Sequence, residues 1–223
     1  MDDRIFDEQT AQDWIKAVER SGKSFRDDYI YPKLNSLICK YSPQSILDIG
    51  CGQGICSEKI NLKNVKYTGI EPSSFLLDRA KQLYVDKNFL IGNAYALPVS
   101  NCSFDIAFSI LVFHLLSDIE TAVTELSRVL SKNGHFLIVT ANPDSYSAWE
   151  AMYSNKKLTG KKLEGTMQLG DALSHDILYL HTFNEFKKAF QSAGLEIEQT
   201  ETFLTSKDSN QNLLILIQGR KSN

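Results

Sequence analysis

Apolar residues follow two different rhythms along this chain. Over residues 1–40 they recur at helical spacing. Trp14, Ile15 and Val18 share one face of a first predicted helix, and Ile30, Leu34, Leu37 and Ile38 share one face of a second. Ser21-Gly22-Lys23-Ser24 breaks the two apart, and Ser42-Pro43 ends the second. Beyond that point short apolar runs alternate with helix-spaced ones. Residues 46–49, 65–70, 89–92, 104–109 and 135–141 read as buried strands. A helix is expected from about Ile55. Another carries Leu76, Leu77, Ala80, Leu83 and Tyr84 on one face, capped by Ser73 or Ser74. A third carries Ile119, Ala122, Val123, Leu126, Val129 and Leu130 behind a predicted capping box, Ser117-Asp118-Ile119-Glu120. Asn133-Gly134 turns into the strand that starts at His135, a residue expected at a surface or edge.

The C-terminal part is less regular. Residues 142–181 form an insertion in which Ala148, Trp149, Met152 and Tyr153 fit a helical face. Lys156, Lys157, Lys161 and Lys162 read as a solvated basic face. Thr182 to Glu185 is a second capping box, and Gly194 ends the helix behind it. Residues 196–204 and 212–219 then read as a strand pair joined by a polar turn.

Composition narrows the picture. A chain of 223 residues, 43% hydrophobic, suits one α/β domain with decorations. A net charge of −3 offers no broad positive field, which disfavours nucleic acid as a partner. Cys39, Cys51, Cys56 and Cys102 show neither a C-x-x-C pair nor metal-ligand spacing, so reduced thiols, no metal and a cytoplasmic setting are expected. The acidic, polar start is no signal peptide, and the most apolar run, 104–116, is too short to span a bilayer.

The stretch that organises the chain is Ile46-Leu47-Asp48-Ile49-Gly50-Cys51-Gly52-Gln53-Gly54. A strand runs into a turn whose glycines leave no Cβ between backbone and ligand. The dinucleotide fingerprint would need its third glycine at Ile55. An acid at Asp48 suits a cationic ligand better than a pyrophosphate. The run resembles motif I of the Rossmann-like, class I S-adenosylmethionine-dependent methyltransferases, of the kind that act on small molecules. Motif and element order cover roughly residues 44–219.

The resemblance implies a doubly wound, mainly parallel seven-stranded sheet with the last strand antiparallel and helices on both faces. It implies S-adenosylmethionine as cofactor and S-adenosylhomocysteine as product. Cofactor contacts would come from Asp48, Gly50, Cys51, Gly52 and Gly54, from Glu71 and Pro72 after the second strand, from Asn93 and Ala94 after the third, and from Ser109 and Ile110 after the fourth. Glu71 would accept from the ribose hydroxyls. Asn93 stands where relatives usually carry an acid; its carbonyl can still accept from the adenine amino group, and its amide can donate to a ring nitrogen. Residues 1–40 would be a helical cap or a cofactor lid, with Arg26 and Tyr29 reaching inward. Residues 41–223 would be the catalytic domain, and the insertion would cover the acceptor.

Methyl transfer from a sulfonium asks the protein to align the nucleophile and exclude water. A hydroxyl or acidic carbon also profits from a base, and an amine can do without one. His114 and His181 are the candidate catalytic histidines, with His175 a third near the insertion's end. Tyr146, Trp149, Tyr179 and His181 are candidates for an acceptor pocket. The acceptor is expected to be a small molecule methylated on O, N or C, and the protein a monomer or homodimer. An NAD(P)-dependent oxidoreductase and a non-catalytic binding module of this fold are the alternatives.

Overall fold

The computed structural model describes residues 6–20, 24–169, 171–204 and 212–222. Most of the predicted break at 21–24 and of the polar turn before residue 212 therefore lies outside the described residues. The centre is a seven-stranded sheet built from β1 (Ser45–Ile49), β2 (Lys66–Glu71), β3 (Asn88–Ile91), β4 (Phe104–Ile110), β5 (Leu130–Ala141), β9 (Leu195–Phe203) and β10 (Leu214–Lys221). Its order is β3-β2-β1-β4-β5-β10-β9. The first five strands are mutually parallel, and β10 runs antiparallel to both neighbours. Chain order reverses direction across the sheet at β1 and β4, which opens a crevice at the strands' C-terminal ends.

Alternation along each strand splits the core in two. Leu47, Ala107, Ile138 and Ile217 face α5 (Ile119–Val129) and α7 (Phe183–Ser192). Ile46, Phe108, Val139 and Leu216 face α2 (Tyr31–Tyr41) and α4 (Ser74–Leu83). The second predicted helix is thus a packing layer of the sheet, with Ile30, Leu34, Leu37 and Ile38 all buried in it. α1 (Glu8–Arg20) lies further out; Arg79 of α4 pairs with its Glu19 at 2.9 Å.

The caps differ in detail from expectation. The Thr182–Glu185 box forms as predicted. At α5 the N-cap is Asp118, which accepts from the Thr121 amide at 3.0 Å, while Ser117 is drawn to the Tyr95 hydroxyl. Ser73 begins α4, but its hydroxyl donates to the Phe6 carbonyl at 2.8 Å and caps nothing. His135 lies on the inner strand β5 and stacks on Tyr41 with ring centroids 3.5 Å apart.

The insertion has a fold of its own. A short helix, α6 (Tyr146–Ala151), leads into a three-stranded antiparallel sheet of β6 (Ser154–Thr159), β7 (Lys162–Leu169) and β8 (Ala172–Tyr179). A third cluster, Ala141, Tyr153, Leu163 and Leu178, packs beneath it. Lys156, Lys157 and Lys162 pair with Glu150 and Glu164, which is the solvated face expected of them.

Candidate active site

Three glycines follow β1, and each has its own reason. All have positive φ: +76° at Gly50, +55° at Gly52 and +80° at Gly54. A Cβ on Gly50 would collide with Val112, and one on Gly54 would meet Phe89 at 2.8 Å and Tyr84 at 3.0 Å. At Gly52 nothing lies nearer than the Trp14 indole nitrogen at 4.0 Å. Packing therefore demands the outer two glycines, and open space stands over the middle one. The Gly50 and Cys51 amides donate to the Ile70 carbonyl at 2.8 and 3.0 Å. The Gly52 amide donates to Glu71 Oε2 at 2.9 Å, so the turn is fastened to the end of β2.

A cavity of about 710 Å³ opens there, within the size range of sites that enclose a small ligand. Its floor is Gly50, Gly52, Glu71, Pro72, Asn93, Ala94 and Ile110. Phe6 and Trp14 close one side; Trp149, Met167, Ser174 and Asp176 close another. His114 and Val112 come from the segment after β4. That segment turns sharply: Leu111 holds φ +61°, unusual for a branched residue, and a single 3-10 turn at Phe113–Leu115 follows. No lysine or arginine lines the cavity among the described residues.

Two of the buried acids, Glu71 on the floor and Asp48 beneath the turn, have raised pKa values. Loss of hydration pushes Glu71 up to about 7, against two backbone hydrogen bonds, from Ser73 and Gly52, that hold it down. Asp48 is also raised to about 7 by burial; the Tyr67 hydroxyl, donating at 2.6 Å, opposes this and the Glu71 charge adds to it. Asn93 does not present its carbonyl as expected. Oδ1 already accepts from the Tyr95 and Ala96 amides at 2.9 and 3.1 Å, which leaves its amide as the group it offers. The loop behind Asn93 is braced by Arg128, which donates to the Leu97 and Val99 carbonyls and pairs with Glu125, while Glu125 accepts from the Leu97 amide.

Several expected site residues stand behind the cavity wall rather than on it. Asp48 and Cys51 are buried beneath the turn. Gly54 serves packing. Ser109 donates to the Ile49 carbonyl at 2.8 Å and ties β4 to β1. Arg26 lies over the Trp14 and Phe25 rings, and Tyr29 is exposed and stacked on Phe203. Trp14 takes the inward position expected of them.

The two histidines separate. His114 lines the cavity, with Nδ1 3.3 Å from Thr140 Oγ1 and its ring stacked on Trp149. His181 does not. Its ring is buried between Tyr179 and Phe186, and Nε2 donates to the Leu116 carbonyl at 2.7 Å. Burial holds its pKa below the ordinary histidine range. Tyr146 donates to the His181 carbonyl, Tyr179 packs beside them, and none of the three lines the cavity. His175 is exposed on the other face of β8. Trp149 does line it, fixed by a 2.8 Å hydrogen bond to the Leu213 carbonyl. Sequence reasoning missed Phe6, Val112, Met167, Ser174 and Asp176, because no local signal marks a wall assembled from distant strands.

The sheet order and the glycine turn define a class I, Rossmann-like methyltransferase fold. Residues 47–138 match the family model of a methyltransferase domain. A crystal structure of an S-adenosylmethionine-dependent methyltransferase from Clostridium acetobutylicum superposes with a TM-score of 0.73 at 13% identity, covering 96% of this chain and 98% of that one. A malonyl-[acyl-carrier protein] O-methyltransferase of Erwinia billingiae is 33% identical over 54% of this chain and 49% of its own, so the match spans about half that relative's length. A demethylmenaquinone methyltransferase of Thermotoga maritima is 26% identical over 76% of this chain and 77% of its own. Residues 47–138 thus carry a methyltransferase domain, in a chain whose fold is that of the class I S-adenosylmethionine-dependent methyltransferases.

Proposed function

We propose that the protein binds S-adenosylmethionine and transfers its methyl group to a small-molecule acceptor. The observation that carries this reading is the cavity over Gly52, with ionisable Glu71 on its floor and no lysine or arginine on its described walls. Such a site suits a ligand bearing sulfonium and ammonium charges and repels a pyrophosphate. The helix behind the turn, α3 (Cys56–Lys59), is only four residues long, a weak anchor for phosphate. Both features count against the oxidoreductase alternative.

Glu71 keeps lone pairs beyond its two backbone bonds and would accept from the ribose hydroxyls. The Gly50–Gly52 backbone would lie against the amino-acid end, and the Asn93 amide would donate to the adenine ring. The cofactor, when bound, supplies a methyl group already activated for displacement. The residues that exclude water are Trp14, Trp149 and Leu116. His114 would take a proton from the acceptor. The segment 142–181 contributes the acceptor side of the pocket, and α1 acts as its cover. The four cysteines are free, Cys39 and Cys102 exposed and Cys51 buried; a cytoplasmic setting is part of the proposal. No helix of the described residues is long and apolar enough to cross a membrane.

Calorimetry with S-adenosylhomocysteine and with NAD tests the reading. Binding of the former and not of the latter is expected; the reverse would return the oxidoreductase. Binding without turnover on any acceptor would favour the non-catalytic alternative.

A further inference from the structure

The wall contributed by the insertion is chemically specific. Along β8, Ser174 and Asp176 fall on the same face by alternation, and both are buried at the cavity. Met167 of β7 stands opposite Ser174 in the ladder and lines the same wall. The Asp176 carboxylate is held in place: Oδ2 accepts from the Tyr153 hydroxyl at 2.9 Å, and Oδ1 accepts from the Ile177 amide at 2.9 Å. Trp149 stands on the same side of the cavity, its indole fixed through Leu213 and its ring stacked on His114. Thus an oriented carboxylate and an aromatic ring line a chamber without lysine or arginine on its described walls, and a second acid, Glu71, lies on the floor.

That combination selects by charge. A cationic nitrogen donates a charge-assisted hydrogen bond to a carboxylate and is attracted to an indole face. A carboxylate or phosphate brought to the same place meets two acids and no lysine or arginine among the described lining residues. A neutral alcohol gains only the ordinary hydrogen bonds. We propose that the acceptor is a basic amine, seated through its nitrogen against Asp176 and Trp149. The inference rests on reading this cavity as an acceptor site. It makes Asp176 a residue that determines acceptor specificity.

Binding to the full chain, with and without S-adenosylhomocysteine, tests this by ligand-observed NMR and calorimetry. The probes are benzylamine and tryptamine, with benzyl alcohol, tryptophol, benzoate and indoleacetate as skeleton-matched controls. The amines should bind and the carboxylates should not. Asp176→Asn should weaken the amines by about tenfold or more, the size of a lost charged hydrogen bond, and leave the alcohols and S-adenosylhomocysteine unchanged. Tyr153→Phe, which only removes the donor that orients Asp176, should weaken the amines less. The ranking of amine over carboxylate in the unmodified protein stands even if a variant fails to fold. Carboxylates binding as well as amines, no amine binding above its alcohol, or a folded Asp176→Asn with unaltered amine affinity would overturn the proposal. Asp176-dependent amine binding in a protein that ignores S-adenosylhomocysteine would uphold the amine site and overturn the methyltransferase reading instead.

Discussion

Glu71 Oε2 accepts the Gly52 amide hydrogen at 2.9 Å, so the acid at the end of β2 and the turn after β1 form one unit. The same carboxylate holds the Ser73 amide through Oε1 at 3.0 Å. It therefore shapes the site as well as facing the ligand. Glu71→Ala should weaken S-adenosylhomocysteine binding by about 1–3 kcal/mol, because charged hydrogen bonds to the ribose are lost. Calorimetry measures this. Unchanged affinity would remove Glu71 from the site.

The buried acids make ligand binding depend on pH. Glu71 and Asp48 both titrate near 7 in the folded chain, above their ordinary 4.5 and 3.8. The folded state then holds protons that the unfolded state has released, so these groups cost stability as pH rises through roughly 4 to 7. A cationic ligand favours their ionised forms. The stabilisation by S-adenosylmethionine should accordingly grow between pH 6 and pH 8, with proton uptake by buffer at the lower pH. Melting curves and calorimetry in two buffers of different ionisation enthalpy check it. A ligand shift that shrinks with pH would contradict the assignment.

Gly52 and Gly54 separate ligand contact from packing. Gly54→Ala drives a Cβ into Phe89 and Tyr84 and should cost about 1–3 kcal/mol of stability. Gly52→Ala meets open space, with only the strain of φ +55°. Gly52→Val should abolish cofactor binding while leaving a melting temperature closer to wild type than that of Gly54→Ala. Equal destabilisation without loss of binding would assign Gly52 to packing as well.

His114 and His181 should behave oppositely. An ammonium must lose a proton before its nitrogen can attack, and His114 lies in the cavity where such a proton would go. His114→Ala should lower turnover by ~10²–10⁴, the range for a positioned base, with cofactor affinity nearly intact. His181→Ala should instead lower stability by about 1–3 kcal/mol, since a buried carbonyl at Leu116 loses its donor. Chemical denaturation and initial rates on the two variants distinguish the cases.

The residue pattern along the chain determined the strand and helix order, because each strand's apolar run and each helix's spaced face are local properties. It also determined the turn and Glu71: glycines with positive φ and an acid just past a strand are readable within a few residues of themselves. What it left open was which side of a wall a side chain occupies. Asp48, Cys51 and Ser109 lie within a few residues of cavity-lining positions, yet hydrogen bonds and packing turn them into the core. His181 precedes a capped helix as expected, but the pull of the Leu116 carbonyl, 65 residues away in sequence, takes it from the cavity. The strands of the insertion were not legible because β6, β7 and β8 are mixed in polarity; their pairing is held by cross-strand contacts that no single window contains. Trp14 reaches the chamber from α1, and Met167 and Asp176 reach it from the paired strands β7 and β8, far along the chain. Only packing against the sheet brings them together, and so only the tertiary structure decided what the cavity can hold.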